Sequence, residues 1–488
     1  MDQSGTRPVI AIVGAGIAGL AAAFFLRDQP ADVIVLDGAP RPGGKLARAE
    51  VAGVQLDVGA EALLARRPEG TGLIEAAGLG GELVPAGTTA ARVWSRGEMR
   101  PLPARQFMGV PADAAALAGT GLLSAAGLAR ARQEPDLPAT HRDGDVPVAG
   151  YVAARFGQEV VDRLVDPLLG GVYAGRSEEL SFDATLPALA AAARRTSTLT
   201  AAAATLLPPP PGPADQSNGA AAPGAPRPPV FSSLAGGLGT LPPALAAASG
   251  AQLRTGAMVR ELAPSPHGWR LTVGSAHDPQ WLDADAVILA LPARPASRLL
   301  AGVPGAAAAA AALGEISYAS MAVVTLAYPR AAFPQLPETS GYLVPAVDGH
   351  PVKAVTFSSV KWPRLQQRAA DLIFVRCSVG RIGEEQVLQR DDAELAELAA
   401  ADLAAATGVH GAPAASLVTR WGGALPQYTV GHLDRVARIQ ASLATQPGLA
   451  ACGAAYAGVG IPACIATAQS AVDQVVAELQ KDGSHVSN

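Results

Sequence analysis

Cysteine is scarce in this chain, which has only Cys377, Cys452 and Cys464 among 488 residues and no CxxC pair. The sequence therefore gives no sign of a disulfide framework or a metal site, and a reducing, cytoplasmic compartment is expected. Positive charge is not in excess either, because Lys and Arg number 37 against 42 for Asp and Glu. Nucleic-acid binding needs a concentration of basic residues, so we expect no nucleic-acid partner.

Long apolar segments are also missing. No run reaches the roughly 18 apolar residues that cross a bilayer. The nearest candidate, Leu186 to Leu207, has Arg194 and Arg195 in its middle, where charge is costly. The first strand begins near Val9 without a basic, long apolar leader before it, which argues against secretion. These patterns predict a protein without membrane spans, and peripheral contact with a membrane stays open.

Apolar residues are abundant, at 49% hydrophobic against 16% charged. Composition and length together fit two to four folded units of roughly 150 residues each. Residues 207–230 differ, since Pro, Ala and Gly dominate them and such a segment cannot bury enough apolar surface to offset the cost of ordering. We predict a flexible linker there.

The N-terminal segment has the pattern of a βαβ unit. A buried strand is expected from Pro8 to Gly14, a helix from Ile17 to Asp28 and a second strand from Asp32 to Asp37. The turn between strand and helix has the GxGxxG spacing of dinucleotide-binding sites, over Gly14, Ala15, Gly16, Ile17, Ala18 and Gly19. Asp37 ends the second strand, where a carboxylate accepts hydrogen bonds from a ribose. A purely structural glycine turn is the alternative, and the strand, helix and acid together favour a dinucleotide.

The segment Arg41-Pro-Gly43-Gly44-Lys45 separates FAD from NAD better than the first turn does. It resembles the RxGG element of FAD enzymes in the glutathione-reductase and amine-oxidase class, although a simple Pro-Gly-Gly loop is the alternative. The segment Leu56 to Glu61 is similar to the backbone turn that passes the flavin in that class. We therefore predict FAD as the cofactor.

Four further motifs sharpen the resemblance. They begin at Asp166-Pro-Leu-Leu-Gly-Gly, Phe231-Ser-Ser-Leu-Ala-Gly-Gly, Trp421-Gly-Gly-Ala-Leu-Pro and Gly453-Ala-Ala-Tyr-Ala-Gly-Val-Gly. Together they resemble the porphyrinogen oxidases of haem synthesis, meaning protoporphyrinogen oxidase and the Gram-positive coproporphyrinogen III oxidases. The short, Ala-rich sequence is similar to those of actinobacterial members. The motifs occur in order and cover almost the whole chain outside the Pro-rich segment.

The resemblance implies an α/β fold in which a Rossmann-like FAD-binding domain of the glutathione-reductase and amine-oxidase type is interleaved with two other parts. The expected division assigns 5–75, 231–295 and 425–485 to the FAD domain and 76–104 with 296–424 to a mixed-sheet substrate domain. Residues 105–206 would form a helical domain that in some relatives rests on a membrane.

The resemblance also implies site residues. Cofactor contacts would fall on Gly14, Ala15, Gly16, Ile17, Ala18, Gly19, Asp37, Gly38, Gly43, Gly44, Lys45, Gly59, Ala60, Glu61, Ala62, Val259, Trp421, Val459, Gly460 and Ile461. In the substrate cavity, Arg92 would hold a propionate, Trp362 would wall a pyrrole ring, and Gly171 and Gly175 would line the opposite side. The alternatives are a solvated hairpin arginine, with Arg96 and Arg100 as competitors, and core packing of Trp362.

The activity implied is oxidation of a porphyrinogen to a porphyrin, six electrons leaving in three flavin cycles, with molecular oxygen as acceptor and hydrogen peroxide as product. No catalytic side chain and no metal are required, since the flavin carries the chemistry. Coproporphyrinogen III is the first choice of substrate and protoporphyrinogen IX the alternative. An amine oxidase or carotenoid desaturase is less favoured, because aromatic residues are only 4%, and a redox-silent flavoprotein is a third reading. Transient contact with the next haem-synthesis enzyme and a monomer or homodimer are compatible with the sequence.

Overall fold

The structure, a computed structural model, describes residues 7–140, 142–208 and 229–485. The predicted linker at 207–230 lies, apart from its two ends, outside the described residues. The strands in chain order are β1 (Val9–Val13), β2 (Asp32–Leu36), β3 (Arg48–Val51), β4 (Val54–Asp57), β5 (Leu63–Leu64), β6 (Leu83–Pro85), β7 (Ala91–Ser95), β8 (Glu98–Pro101), β9 (Gln106–Phe107), β10 (Val110–Pro111), β11 (Phe231–Leu234), β12 (Gln252–Arg254), β13 (Val259–Ser265), β14 (Gly268–Ser275), β15 (Asp278–Ala284), β16 (Ala286–Leu289), β17 (Tyr318–Pro329), β18 (Gly341–Leu343), β19 (Val352–Phe357), β20 (Leu372–Val379), β21 (Ala415–Pro426) and β22 (Leu449–Ala451).

The α-helices in chain order are α1 (Ile17–Phe25), α2 (Pro68–Ala76), α3 (Ala125–Arg132), α4 (Val148–Phe156), α5 (Gln158–Val160), α6 (Asp166–Tyr173), α7 (Phe182–Thr185), α8 (Pro187–Ala193), α9 (Leu199–Thr205), α10 (Leu241–Ser249), α11 (Ala293–Leu300), α12 (Ala307–Gly314), α13 (Ser358–Lys361), α14 (Pro363–Arg368), α15 (Asp392–Thr407), α16 (His432–Leu443) and α17 (Ile461–His485). A single π-helical turn, Val161–Val165, precedes α6.

A five-stranded parallel sheet, in the order β12-β2-β1-β16-β22, joins the start, the middle and the end of the chain. Its central strands β1 and β16 are apolar because both of their faces are covered. One face packs on α1, α10 and α17, and the other packs on α11, α12, α16 and the antiparallel sheet β13-β14-β15. The sequence alone predicts one strand over Gln252 to Glu261, but the chain leaves the parallel sheet after Arg254 and enters another sheet at Val259.

A seven-stranded sheet, in the order β21-β17-β20-β19-β18-β7-β8, forms the second large layer. Its neighbours are antiparallel except for β7 and β18. One face packs against α15 around a core that contains Trp94, Tyr342, Val355 and Cys377. The opposite face, here called the inner face, packs in part on the hairpin β3-β4 through Phe374.

The segment from about residue 110 to 206 is largely helical, and α3 to α9 enclose an apolar core. The short hairpin β9-β10 was not expected in front of it. Within the ranges that the structure describes, no helix combines the length and apolar content needed to cross a bilayer.

Candidate functional site

The first glycine turn lies at the carboxyl end of β1. Gly14 has a φ of 108°, and a Cβ there would lie 2.5 Å from the carbonyl oxygen of Ala290. A Cβ on Gly19 would lie 1.8 Å from the carbonyl oxygen of Gly14, so both positions need glycine. At Gly16 a Cβ would meet no protein atom within 4 Å. The N-terminus of α1, which has no side-chain cap, therefore opens onto free space, where its unpaired N–H groups suit an anion.

Asp37 holds this turn from the end of β2. Its carboxylate accepts hydrogen bonds from the N–H of Ala15 at 2.6 Å and from the N–H of Ala39 at 2.7 Å. A side chain at Gly38 would collide with Met258, whose Cε lies 2.6 Å from the position of a Cβ. Glycine after Asp37 thus matches a methionine that already fills the space, just before Val259 begins β13.

The RxGG segment packs directly on the first turn. Gly43 donates its N–H to the carbonyl oxygen of Ala15 at 2.8 Å, and a Cβ on Gly44 would lie 3.4 Å from the Cα of Gly16. The side chain of Lys45 is exposed to solvent. The protein atoms around its ammonium nevertheless exclude enough water to lower its pKa. Both properties fit a side chain on the wall of a deep cleft.

The turn that follows β4 lies beside Lys45. Ala60 donates its N–H to the carbonyl oxygen of Lys45 at 3.0 Å, and a Cβ on Gly59 would lie 1.9 Å from that oxygen. The indole of Trp421 donates to the carbonyl oxygen of Val58 at 3.1 Å, so β21 reaches the same turn. Ala62 is half-buried next to it.

Glu61 anchors this turn to the seven-stranded sheet. Its carboxylate pairs with Lys361 at 2.9 Å and with Arg376 at 2.7 Å, and it accepts from the hydroxyl of Ser358 at 3.2 Å. Burial alone would raise the pKa of Glu61, but the charges of Lys361 and Arg376 lower it far below its usual range. Glu61 is therefore an anion held by two cations, and its side chain fixes the turn after β4 to the seven-stranded sheet.

The C-terminal glycine turn is held by Tyr428 and His432. The hydroxyl of Tyr428 donates to the carbonyl oxygen of Ala454 at 2.7 Å and accepts from the N–H of Gly458 at 2.8 Å. The Nε2 of His432 lies 3.2 Å from the carbonyl oxygen of Tyr456, which can only accept, so this nitrogen carries the hydrogen. The rings of Tyr428 and His432 stack, with centroids 3.8 Å apart and planes 14° apart.

The sequence did not single out Tyr428 and His432 as residues that hold this turn, although both lie in the motif that begins at Trp421.

After the residues that Tyr428 and His432 hold, Gly460 is exposed and a Cβ there would meet only Pro462, at 3.9 Å. Val459 is half-buried against the helical core, and Ile461 begins α17 as a buried residue. Open space thus lies in front of the glycines at both the first and the last turn.

The two turns are close neighbours. A Cβ on Gly453 would lie 3.9 Å from the Cβ of Ala18 on α1, and β16 pairs with both β1 and β22. The structure thus brings together the FAD residues predicted from the two ends of the chain.

The four residues predicted for the substrate are not brought together. Gly171 is exposed on α6, and a Cβ there would lie 3.5 Å from Cδ2 of Leu343 on β18. Gly175 is buried, and a Cβ there would lie 2.1 Å from Oε1 of Gln427. Gly171 therefore faces the inner side of the seven-stranded sheet, whereas Gly175 is a packing position.

The placement of Arg92 argues against its predicted role. Arg92 is paired in register with Tyr342, which is paired with Val355 and, through it, with Cys377. These partners belong to the core on the α15 side, and residues paired across a sheet share a face. The exposed Arg92 thus projects from the face opposite to Gly171. Of its competitors, Arg96 bonds to the carbonyl oxygen of Leu122 and pairs with Glu159, and Arg100 bonds to the carbonyl oxygen of Ser95 and pairs with Glu98.

Trp362 is also placed differently from the expectation. Only 1% of its surface is exposed, and it packs with Val54, Leu56, Leu365 and Phe374. A ring enclosed in this way has no free face for a pyrrole. Core packing, the alternative reading of this residue, accounts for its position.

The inner face of the seven-stranded sheet has an unusual burial pattern. Leu343, Ala354, Ser378, Thr356 and Arg376 lie on this face of β18, β19 and β20, and all are only half-buried although they lie in the interior of the sheet. Interior strand positions covered by close packing would be fully buried. Val172 on the neighbouring α6 is 39% exposed. Helix α6 therefore covers this face only in part, although it approaches Leu343 at Gly171.

The chain is similar to proteins of one family over almost its full length. The model of the family described as flavin containing amine oxidoreductase matches residues 17–476. A protein of Mycobacterium tuberculosis named coproporphyrinogen III oxidase is 37% identical over 96% of this chain and 97% of its own length. A Bacillus subtilis protein of the same name is 30% identical, over 96% and 98% respectively. A Bos taurus protein named protoporphyrinogen oxidase is 30% identical over 96% of this chain and 98% of its own length.

Solved structures of other proteins have the same fold as this chain. A putative protoporphyrinogen oxidase from an Exiguobacterium species superposes with a TM-score of 0.83 at 28% identity, covering 98% of this chain and 99% of that one. A reduced UDP-galactopyranose mutase gives a TM-score of 0.70 at 16% identity, covering 96% and 94%, which reflects the shared fold. The chain therefore belongs to the flavin-containing amine oxidoreductase family.

Proposed function

We propose that this protein is an FAD-dependent porphyrinogen oxidase that converts coproporphyrinogen III to coproporphyrin III and passes the electrons to molecular oxygen. The names of its full-length relatives support the substrate class. The observation that carries the cofactor part is the open space at Gly16 and Gly460, bounded by turns from both ends of the chain. When bound there, FAD would supply the hydride-accepting chemistry.

The residues around this space suit an FAD molecule. The N-terminus of α1 and the glycines from Gly14 to Gly19 would take the pyrophosphate, and Asp37 has lone pairs left for ribose hydroxyls. Gly38 and Val259 would lie beside the adenosine part. Gly43, Gly44 and Lys45 would lie along the phosphates and the adjoining part of the cofactor. The flavin ring would lie between Gly59–Ala62, Trp421 and Val459–Ile461, where the backbone is held by Glu61 and Tyr428.

The substrate would lie against the part of the inner face that α6 leaves uncovered. Leu343, Ala354 and Gly171 offer an apolar lining there, and Thr356 and Arg376 lie nearest the turn that would carry the flavin. Arg376 also donates to the carbonyl oxygen of Gly59 at 2.5 Å. This arrangement suits a large macrocycle whose apolar ring system must reach the flavin edge with water excluded.

The proposal includes the three-part division of the chain, in which the parallel sheet serves FAD, the seven-stranded sheet serves the substrate and α3 to α9 close the cavity. It also includes a cytoplasmic enzyme with peripheral membrane contact through the helical part. Its redox partners would be the porphyrinogen and oxygen.

The test compares substrates on the purified, FAD-loaded protein. Growth of porphyrin fluorescence is followed with coproporphyrinogen III, protoporphyrinogen IX and a set of primary amines, with oxygen consumption measured in parallel. We expect kcat/KM to be highest for coproporphyrinogen III. A higher value for protoporphyrinogen IX would transfer the proposal to that substrate, and turnover of amines alone would refute it.

A further inference from the structure

The side chain of Met258 lies over Gly38, just after β2 ends. Its Cε, Sδ and Cβ lie 2.6, 3.1 and 3.5 Å from the position that a Cβ on Gly38 would take. Because three atoms of the same side chain are this close, the thioether is folded against the glycine and does not extend into solvent. Met258 therefore occupies the place that a side chain at position 38 would otherwise fill.

Backbone hydrogen bonds on both sides fix the position of this methionine. Asp37 donates its N–H to the carbonyl oxygen of Arg254 at 2.9 Å, and Ala257 donates its N–H to the carbonyl oxygen of Asp37 at 2.8 Å. Gly274 donates its N–H to the carbonyl oxygen of Met258 at 2.9 Å. The thioether is therefore held next to the residue whose carboxylate suits a ribose.

Met258 is also the methionine that solvent reaches most easily. Its surface is 55% exposed, whereas Met99, Met108 and Met321, the other methionines in the part of the chain that the structure describes, are half-buried. One side of the thioether is covered by Gly38, so the exposure belongs to the other side. That side lies at the carboxyl edge of the parallel sheet, where ligands bind in open α/β folds.

A thioether at this position suits the adenine ring of FAD. Methionine sulphur makes favourable contacts with aromatic rings at a distance of about 5 Å, and covering an exposed apolar side chain with a ring removes its surface from water. A ribose bound at Asp37 and an adenine beside the first residue of β13, Val259, would bring the ring next to Met258. The adenine would then cover the exposed side of the thioether.

We propose that Met258 packs on the adenine of FAD and that oxidation of its thioether by hydrogen peroxide weakens the binding of FAD. In this step the O–O bond of the peroxide breaks, one oxygen forms a bond to Sδ, and the other leaves as water with both hydrogens. The sulphur loses two electrons and the peroxide gains them. The resulting sulfoxide is polar, so it no longer offers an apolar surface to the ring. The contact with adenine is independent of the substrate, whereas the formation of peroxide by this protein itself rests on the proposed function.

The first test measures methionine oxidation in the apoprotein and in the FAD-loaded protein. Both are treated with the same concentration of added hydrogen peroxide, and sulfoxide formation is followed by mass spectrometry of peptides. We expect Met258 to be oxidised faster than Met99, Met108 and Met321 in the apoprotein, and FAD to slow the oxidation of Met258 several-fold more than that of the other three. Equal slowing of all four methionines, or no slowing at Met258, would overturn the contact with adenine.

The second test measures the FAD dissociation constant by fluorescence titration of the apoprotein, before and after peroxide treatment. Met258→Gln imitates the polarity of the sulfoxide, Met258→Leu stays apolar and cannot be oxidised, and Met99→Leu is the control. We expect the dissociation constant to rise roughly two- to twelvefold in Met258→Gln and by a similar factor when the wild type or the control is oxidised.

Met258→Leu should bind FAD within threefold of the wild type and should not respond to peroxide. A wild-type dissociation constant for Met258→Gln would overturn the contact with adenine, and an equal response of Met258→Leu and the wild type to peroxide would overturn the role of oxidation. Because the peroxide is added, both tests give their answer even if the protein turns over no porphyrinogen.

Discussion

The phenol oxygen of Tyr428 accepts a hydrogen bond from the N–H of Gly458 at 2.8 Å, which ties the last glycine turn to the segment after β21. The same hydroxyl donates to the carbonyl oxygen of Ala454, so a single atom closes the turn across four residues. Because the backbone of this turn is proposed to face the flavin, Tyr428 is a positioning residue for the cofactor.

Removing this hydroxyl should loosen FAD binding. Tyr428→Phe keeps the stacked ring and leaves the N–H of Gly458 without its partner, which costs roughly 1–3 kcal/mol. Expressed in full on FAD binding, this cost raises the dissociation constant roughly five- to 150-fold, as measured by fluorescence titration of the apoprotein. The control is Tyr342→Phe, because the hydroxyl of Tyr342 is buried without a partner in the seven-stranded sheet. An unchanged dissociation constant for Tyr428→Phe would remove its positioning role.

Gly16→Val should separate folding from cofactor binding. A Cβ at Gly16 would meet no protein atom within 4 Å and the φ of -71° suits any residue, so the variant should fold. The new side chain would project into the space proposed for the pyrophosphate, and we expect a folded, colourless protein. Gly72→Val, at an exposed position on α2 that is also free of close neighbours, should keep its flavin. A yellow Gly16→Val protein with full FAD content would contradict the pyrophosphate site.

Arg92→Ala is expected to leave porphyrinogen binding unchanged. The sequence alone predicted a propionate contact, but the strand register turns this side chain to the α15 face of the sheet. Steady-state kinetics with coproporphyrinogen III should give the wild-type KM within twofold, which corresponds to about 0.4 kcal/mol. A KM several times higher would show that the guanidinium reaches the substrate after all.

Features that depend on neighbouring residues could be predicted from the sequence. The turn from Gly14 to Gly19 was predictable because each glycine answers a local demand of strand, turn and helix. Helix α15 was predictable for the same kind of reason, since Asp391 and Glu394 form a reciprocal cap at its start.

The roles of Arg92 and Trp362 depend instead on contacts between distant segments. The face on which Arg92 lies is set by its pairing with Tyr342, far along the chain. Strand β21 was missed because its glycines, Gly422 and Gly423, conceal the alternation of a strand. Tyr428 and His432 gave no local signal, because their partners are backbone atoms of another turn.

The buried His432 should make stability depend on pH. Burial lowers the pKa of its imidazole to about 4, further lowered by Arg435, although the carbonyl of Tyr456 and the charge of Asp145 act against the shift. In the unfolded chain the pKa is near 6.5, so the unfolded state takes up a proton first as the pH falls. The contribution of the neutral, buried His432 to the free energy of unfolding is therefore complete above about pH 6.5. It is lost progressively as the pH falls towards 4, and the loss reaches about 3 kcal/mol.

Denaturant unfolding at several pH values between 4 and 7 measures this effect. His432→Phe retains an aromatic ring against Tyr428 and should flatten the dependence on pH in this window. The exposed His267 supplies the control variant His267→Gln, which should keep the wild-type slope. Identical slopes for all three proteins would show that His432 is not the group responsible.

The most direct test of the account is anaerobic mixing of the FAD-loaded protein with coproporphyrinogen III. We expect the flavin absorbance to bleach on mixing and to return when air is admitted, and we expect porphyrin fluorescence to grow over repeated cycles. A protein that takes up no FAD, or a bound flavin that stays oxidised in the presence of any porphyrinogen, would contradict it.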